Sequence, residues 1–402
     1  MKTWIRILMM TTISIPLLLV LGGCWDRTEL NDLTLVSALA IDKAENHRVR
    51  ATVQVIIPQN QGGGTGTAGG GPSGGGAAKR TATRSETGIN ISDALSKLQR
   101  KIPRRMFWGQ CRIFVFSEAV ARKGIQKHLD FLIRFPQTRE RSYVFVSKGD
   151  AGKSLELFPL IENSSAQVLH KLTDLRVGMR VTTLQLSLML KGDSRAAVLP
   201  MIRILPKSKS AEPFQTIPYL EGSAVFKNDK MIGEISEKIT RGVMWLRNEI
   251  GEYTVVFESE GAEGRVSLKP LKANIKLIPE IKGDTWKMTV RVKTEGDIIQ
   301  NDTVMDPVNP KLLALMRKGF EDDVRGRINL ALHEIQGRHK ADIIDFAKAF
   351  HRKYPEQWEK VKHHWDEQFP KVQVITKIDA KIIRPGLIGS PEGLPEEEVR
   401  KK

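Results

Sequence analysis

Cysteine is almost absent from this 402-residue chain, which holds only Cys24 and Cys111. With Cys24 otherwise engaged, Cys111 has no partner within the chain, so no disulfide framework holds the fold. Cys111 stands at the head of Arg112-Ile113-Phe114-Val115-Phe116, a strand pattern in which a buried thiol is the ordinary role. A long hydrophobic run is missing as well. The apolar stretch near the N-terminus, about fifteen residues with Pro16 among them, falls short of the roughly 20 that a spanning helix needs. Acid is scarce relative to base: 46 Asp and Glu face 63 Lys and Arg, a net charge of +17. No nucleic-acid-binding module accompanies that charge, so anionic lipid headgroups suit it better than nucleic acid.

What the N-terminus does hold is organised. Lys2 and Arg6 form a basic region, Ile7 to Val20 an apolar one, and Leu21-Gly22-Gly23-Cys24 follows. This is the pattern of a secretory signal, residues 1–23, ending in a bacterial lipobox. The glycines let the chain lie extended in a peptidase cleft, and the Cys24 thiol takes up a diacylglyceryl thioether. Two acyl chains give stable anchoring where one does not. The mature charge would be +15, since the removed segment carries Lys2 and Arg6 and no acid.

With 41% apolar and 27% charged residues, the body reads as globular, and its length calls for two or three domains. The expected class is α+β: three mixed α/β domains in series behind the signal peptide. The first covers 24–206. It has strands at Leu33–Ile41 and Val49–Ile57, and a glycine-rich loop at 59–78. A helix capped by Ser92 follows, carrying Ala94, Leu95, Leu98 and Ile102, and then a strand at Arg112–Phe116. Next come a helical region opened by Ser117-Glu118 and closed before Pro136, a strand at Tyr143–Val146, and helices near Ala166–Leu172 and Thr183–Leu190. A strand near Ala197–Leu205 completes this domain. A small central unit, 207–266, holds a hairpin (Tyr219–Phe226 with Met231–Ile235) and a helix from Ser236 to about Arg247. The third domain, 267–390, starts with a hairpin, Leu271–Ile278 with Trp286–Lys293. The longest helix then runs from Asn309-Pro310 to about Gln336, with Gly337 as its stop. Helices near Ile343–His351 and Glu356–Trp365 and a strand at Val372–Ile383 follow, and 391–402 is a tail.

The candidate chemical motifs each lack the spacing or setting their chemistry needs. Gly64-Thr65-Gly66-Thr67-Ala68-Gly69 spells a dinucleotide fingerprint, but no helix opens directly behind it. Gly149-Asp150-Ala151-Gly152-Lys153-Ser154 has two residues between its first glycine and Gly-Lys-Ser, where a phosphate loop needs four. His333 and His339 stand six apart, not the four of a zinc protease, and His363-His364 point different ways on a helix. No glycine-flanked serine elbow occurs, and Trp108, Trp245, Trp286, Trp358 and Trp365 read as core or interface anchors. The residues therefore assemble no catalytic set, and no cofactor or metal is expected.

Ordered motifs along the whole mature chain resemble one family. Cys24-Trp25-Asp26-Arg27, Glu29-Leu30-Asn31-Asp32-Leu33, Val36 and Ala40-Ile41-Asp42 look like its opening. The Arg104–Phe107 segment, the Leu129–Arg134 helix, Arg139 and Arg141 are similar to its first domain. Glu221-Gly222-Ser223-Ala224-Val225-Phe226-Lys227 with Asp229-Lys230 and Gly233 looks like its central hairpin. Asp342, Phe346, Tyr354-Pro355, Trp358, Trp365 and Phe369 resemble its C-terminal block. The family is Ger(x)C, the lipoprotein C subunits of spore germinant receptors. Gly109-Gln110-Cys111 departs from a common Gly-His pair, so no family role passes to Cys111. The resemblance implies three mixed domains, no enzymatic activity, lipidation at Cys24 and assembly with membrane-embedded A and B subunits. The expected setting is the outer face of the spore inner membrane. A different class, an extracytoplasmic solute-binding lipoprotein presenting germinant, stays open beside it.

Overall fold

The computed structural model describes residues 4, 30–57, 80–251, 253–384, 386, 393–395 and 397–400. Cys24, the rest of the lipobox and the glycine-rich stretch 59–78 lie outside the described residues.

The chain opens with β1 (Leu33–Lys43), β2 (Val49–Ile56), β3 (Thr81–Gly88), α1 (Ile91–Gln99), β4 (Arg105–Phe107) and β5 (Ile113–Ser117). Helices α2 (Glu118–Lys123) and α3 (Gln126–Arg134) lead to β6 (Tyr143–Ser147). Then come α4 (Ala151–Leu155), α5 (Ser165–Asp174), α6 (Thr183–Lys191) and β7 (Ala196–Ile204), followed by the hairpin β8 (Pro218–Lys227) and β9 (Lys230–Ile235). All nine strands form one sheet, ordered β3-β2-β1-β5-β6-β7-β8-β9, with β4 beside the start of β1. Its centre, β1-β5-β6-β7, is parallel, and antiparallel pairs close both flanks. The central strands are nearly continuous apolar runs because both faces are covered. Leu39, Ile41, Phe114, Phe116, Val144 and Val146 bury one face under α1, α2, α3 and α6. Ala38, Ala40, Ile113, Val115 and Phe145 bury the other under α4 and α5.

The second sheet is ordered β10-β11-β12-β13, from β10 (Val255–Glu258), β11 (Arg265–Lys282), β12 (Thr285–Asn301) and β13 (Gln373–Arg384). Between it and the first sheet runs α7 (Glu237–Leu246), and between β12 and β13 the chain forms α8 (Pro310–Leu332), α9 (Phe346–Lys353), α10 (Pro355–Val361) and α11 (Trp365–Gln368). Asn309 caps α8, accepting the Lys311 and Leu312 N–H groups at 2.8 and 3.3 Å, with Pro310 in the first turn. The stripe Leu312, Met316, Phe320, Val324, Ile328, Ala331 is buried along its length, about 35 Å at 1.5 Å per residue.

The two halves share a core. Val198, Val225 and Ile235 of the first sheet belong to the same buried cluster as Trp245, Val290 and Phe320. Gly242 of α7 lies against α8 so closely that a Cβ there would stand 2.2 Å from the Arg327 carbonyl oxygen. The stretch 207–266, read from sequence as a small central unit, is therefore shared out. Its hairpin completes the first sheet, while its helix α7 and its strand β10 pack with the second.

Several local readings change. Strand β3 was not expected from Thr-Ala-Thr-Arg-Ser-Glu-Thr-Gly. It is an edge strand that owes its form to an unbroken ladder with β2, Val49 opposite Gly88 to Ile56 opposite Thr81, not to apolar alternation. Asn90, not Ser92, caps α1, accepting the Asp93 N–H at 2.9 Å, because buried Ile91 already belongs to the helix. The helical region after Ser117 breaks at Gly124, where Ile125 donates its N–H to the Asp229 carbonyl at 2.9 Å. Strands β11 and β12 run far beyond the expected hairpin, since Pro270 is absorbed at a bulge opposite Gly296. Past Leu332 the helix widens into a π turn, His333–His339, that passes through Gly337 and ends at left-handed Lys340. The Gln336 side chain holds it by donating to the Phe369 and Val372 carbonyls at 2.8 and 3.0 Å.

Candidate functional site

Two buried carboxylates and the residues gathered on them dominate the polar interior. Asp42 is the penultimate residue of β1, with 2% of its surface exposed. Its two oxygens accept the N–H groups of Ala151 at 2.7 Å and Gly152 at 2.9 Å, the first residues of α4. The Gly149–Ser154 stretch that mimics a phosphate loop is thus a short helix start whose amides already face an anion, one supplied by the chain itself. Gly152 is required there. A Cβ would lie 2.8 Å from Thr52 Oγ1 and 3.3 Å from the Asp42 carboxylate. Burial pushes the Asp42 carboxyl above its ordinary range, the amides of Ala151 and Gly152 and the Ser117 hydroxyl pull it back, and Asp150 adds to the rise. Beside it, buried Gln54 donates to the Leu155 carbonyl at 2.7 Å. Its Oε1 accepts from Ser37 Oγ at 3.0 Å and from the Ala166 N–H at 3.3 Å. Strands β1 and β2 are tied in this way to both helices of that face.

Asp342 plays the equivalent part in the second half. Its carboxylate accepts N–H groups from Ile344 (3.3 Å), Phe346 (3.1 Å) and Ala347 (2.6 Å), and the Trp365 indole N–H at 3.0 Å. It thereby caps α9, although Asp345 stands at the helix boundary in a left-handed conformation without a side-chain bond. Burial pushes the Asp342 carboxyl up to about 6, against the opposing pull of those donors. The Trp365 ring lies 5.2 Å from Trp358, 5.9 Å from Trp286 and Phe350, and 6.1 Å from Phe369, centroid to centroid. Asp342, Phe346, Trp358, Trp365 and Phe369, scattered over 28 residues of sequence, converge on one aromatic nucleus. The reading of the tryptophans as core anchors holds: Trp108, Trp245, Trp286, Trp358 and Trp365 are all buried.

The remaining reactive groups do not converge. Cys111 is fully buried, with its Sγ 3.8 Å from the Ile113 carbonyl, and burial pushes its thiol up to about 12. Glu334 pairs with Arg338 at 3.0 Å and with His339 Nε2 at 3.4 Å, while the His339 ring packs on Gly233 of β9. Burial holds His339 below its ordinary value, and Glu334 opposes that shift. His363 and His364 are exposed on a short turn. Among the described residues, no group of three or more His, Cys, Asp or Glu is placed to hold a metal ion. Cys24, the one site residue expected from sequence, lies outside the described residues.

Contacts between the halves were not visible in the sequence. His351 Nδ1 lies 3.0 Å from the Asp193 carboxylate while its ring stacks on Trp358 at 5.6 Å, and Lys227 pairs with Asp366 at 2.5 Å. Each partner is a common surface residue type more than 130 positions from the other, so no spacing signals the pairing.

Comparison with known proteins gives a consistent result over nearly the whole chain. The family profile described as "Spore germination protein N-terminal domain" matches residues 26–204, and "Spore germination B3/ GerAC like, C-terminal" matches 221–386. The boundary between them runs through the first sheet, separating β7 from β8. Spore germination protein KC of Bacillus subtilis (strain 168) is 29% identical over 393 residues, covering 93% of this chain and 94% of that protein. Spore germination protein GerQC of Bacillus cereus is 21% identical over 396 residues, 96% of this chain and 99% of its own. The crystal structure of the GerBC protein superposes with a TM-score of 0.55 at 18% identity, covering 86% of this chain and 96% of that one.

Proposed function

The chain belongs to the Ger(x)C family of spore germination proteins, and from that premise we propose that it is a lipid-anchored, non-catalytic subunit of a spore nutrient germinant receptor. In this reading Cys24 carries the acyl chains on the outer face of the spore inner membrane, and the folded body docks on membrane-embedded A and B subunits. The observation that carries the reading is the junction at Cys24. The lipobox ends there, and the N-terminal family profile starts at Asp26, two residues on. In sequence only Trp25 separates the two, which supports a first domain kept near the bilayer. Among the described residues, no helix is long and apolar enough to cross a membrane.

The absence of catalysis in this proposal is supported by what the buried acids do. Asp42 and Asp342 are each buried and occupied by backbone or indole donors. A solute-binding lipoprotein would need two doubly wound lobes around a cleft. Here the second sheet is a hairpin flanked by one antiparallel and one parallel strand. The test is co-purification: the tagged, acylated protein should bring down both membrane subunits from spore membranes, and recovery of neither would refute the docking.

A further inference from the structure

One end of the first sheet, where β1 begins, combines exposed apolar side chains with arginines that have no carboxylate partner among the described residues. Val36 of β1 pairs with Val55 of β2, and Leu35 with Phe107 of β4, so Ile56 and Phe107 flank the same strand start. Adjacent strands lie about 4.8 Å apart. The Ile57 N–H donates to the Arg80 carbonyl at 2.9 Å, and the Arg80 guanidinium bonds Asn163 Oδ1. That bond brings the 157–163 loop to this end, with Leu160 77% and Ile161 94% exposed at its tip. Ile56, Ile57 and Phe107 are also exposed. Around them stand Arg80, Arg100, Arg104 and Arg105, all exposed, and none within ion-pair distance of a carboxylate among the described residues. Lys101 is paired with Glu86, and Asp32 and Glu162 are the acids nearest in the chain to these segments.

We propose that this end is a second membrane contact, in which Leu160, Ile161, Ile56, Ile57 and Phe107 enter the headgroup boundary of an anionic bilayer while Arg80, Arg100, Arg104 and Arg105 meet its phosphates. The inference rests on the anchored reading. Cys24 precedes Leu33 by nine residues, which reach at most about 30 Å, so acylation would keep this end within that distance of the lipid. Large apolar side chains beside cations are the chemistry of a peripheral, interface-seated surface. The chain's excess of base over acid has the complementary sign.

The test uses the mature chain, residues 24–402, with Cys24→Ala so that no acyl group contributes. It is mixed with phosphatidylcholine vesicles that contain or lack phosphatidylglycerol. The chain should sediment with the anionic vesicles and be released as salt rises. Arg104→Gln with Arg105→Gln should weaken partitioning roughly 30-fold, at about 1 kcal/mol per basic residue. Leu160→Ser with Ile161→Ser should weaken it at low salt, where the parent binds, and circular dichroism should show both variants folded, since all four side chains are exposed. Equal sedimentation of parent and variants, or none with either vesicle, overturns the proposal. A photo-crosslinker at position 161 in spores should label lipid, whereas labelling of a protein neighbour overturns it. Fatty-acid labelling of the unmutated chain reports the anchor separately. An unlabelled Cys24 with vesicle binding intact sinks the anchor and leaves this face standing, and a labelled Cys24 without vesicle binding does the reverse.

Discussion

Asp42 and Gly152, 110 residues apart, meet near the end of the first strand, where a carboxylate oxygen accepts the glycine N–H at 2.9 Å and Thr52 Oγ1 stands 2.8 Å from where a Cβ would lie. Asp42→Ala would orphan the Ala151 and Gly152 amides in a buried setting, at about 1–3 kcal/mol for each group left unpaired. Gly152→Ala would push a methyl group into Thr52 and the carboxylate. Both variants should lower the urea midpoint of the mature chain, and an unchanged midpoint for Asp42→Ala would remove the pin.

Asp342 offers a pH signature. Its carboxyl is raised from an ordinary 3.8 to about 6 in the fold, so the folded state binds the extra proton. The stability it contributes is fully present below the unfolded value and is lost as pH rises through about 6. At about 1.4 kcal/mol per unit, the swing is about 3 kcal/mol. Urea midpoints of parent and Asp342→Asn, compared from pH 4 to 7, isolate the group. The parent should lose stability relative to Asp342→Asn as pH rises from 4 to about 6, and the difference should level off above about 6.

How much of this could be read beforehand depended on how local the cause was. The α8 stripe from Leu312 to Ala331 and the caps Ser117, Ser236 and Asn309 were legible because helix period and capping act within a few residues. Strand β3 was not, because its order comes from β2, and Pro270 hid the start of β11 because a bulge in β11 itself, at Leu271, accommodates it. The sequence marked Gly149–Ser154 and Asp42 separately, but only the fold shows that one occupies the other. The aromatic nucleus around Asp342 was visible as a family pattern, and its hydrogen bonds were not. With Cys24 the relation is reversed, since the sequence alone bears on it.

The seam between the halves should be intolerant of added volume. Gly242→Ala places a methyl carbon 2.2 Å from the Arg327 carbonyl oxygen, so α7 and α8 must separate. We expect a loss of about 3 kcal/mol or failure to fold, against about 1 kcal/mol gained from helix propensity alone. A melting temperature at or above that of the parent would contradict the close approach.

Cys111 should be silent in the native protein. In the Cys24→Ala chain it is the sole thiol, buried and held to about 12. A maleimide at neutral pH should label it only after denaturation, since the thiolate is the reacting form. Rapid labelling of the folded chain would place the thiol at the surface.

Attachment of this body to the spore membrane through Cys24 is what the proposed function depends on most. The direct measurement is fractionation of dormant spores carrying Cys24→Ala beside the parent, with germination scored on the same spores. The parent should remain with the inner membrane, and the variant should keep its signal peptide or leave the membrane and germinate poorly with nutrients. Full membrane retention of a processed, unacylated variant, with normal germination, would contradict that attachment.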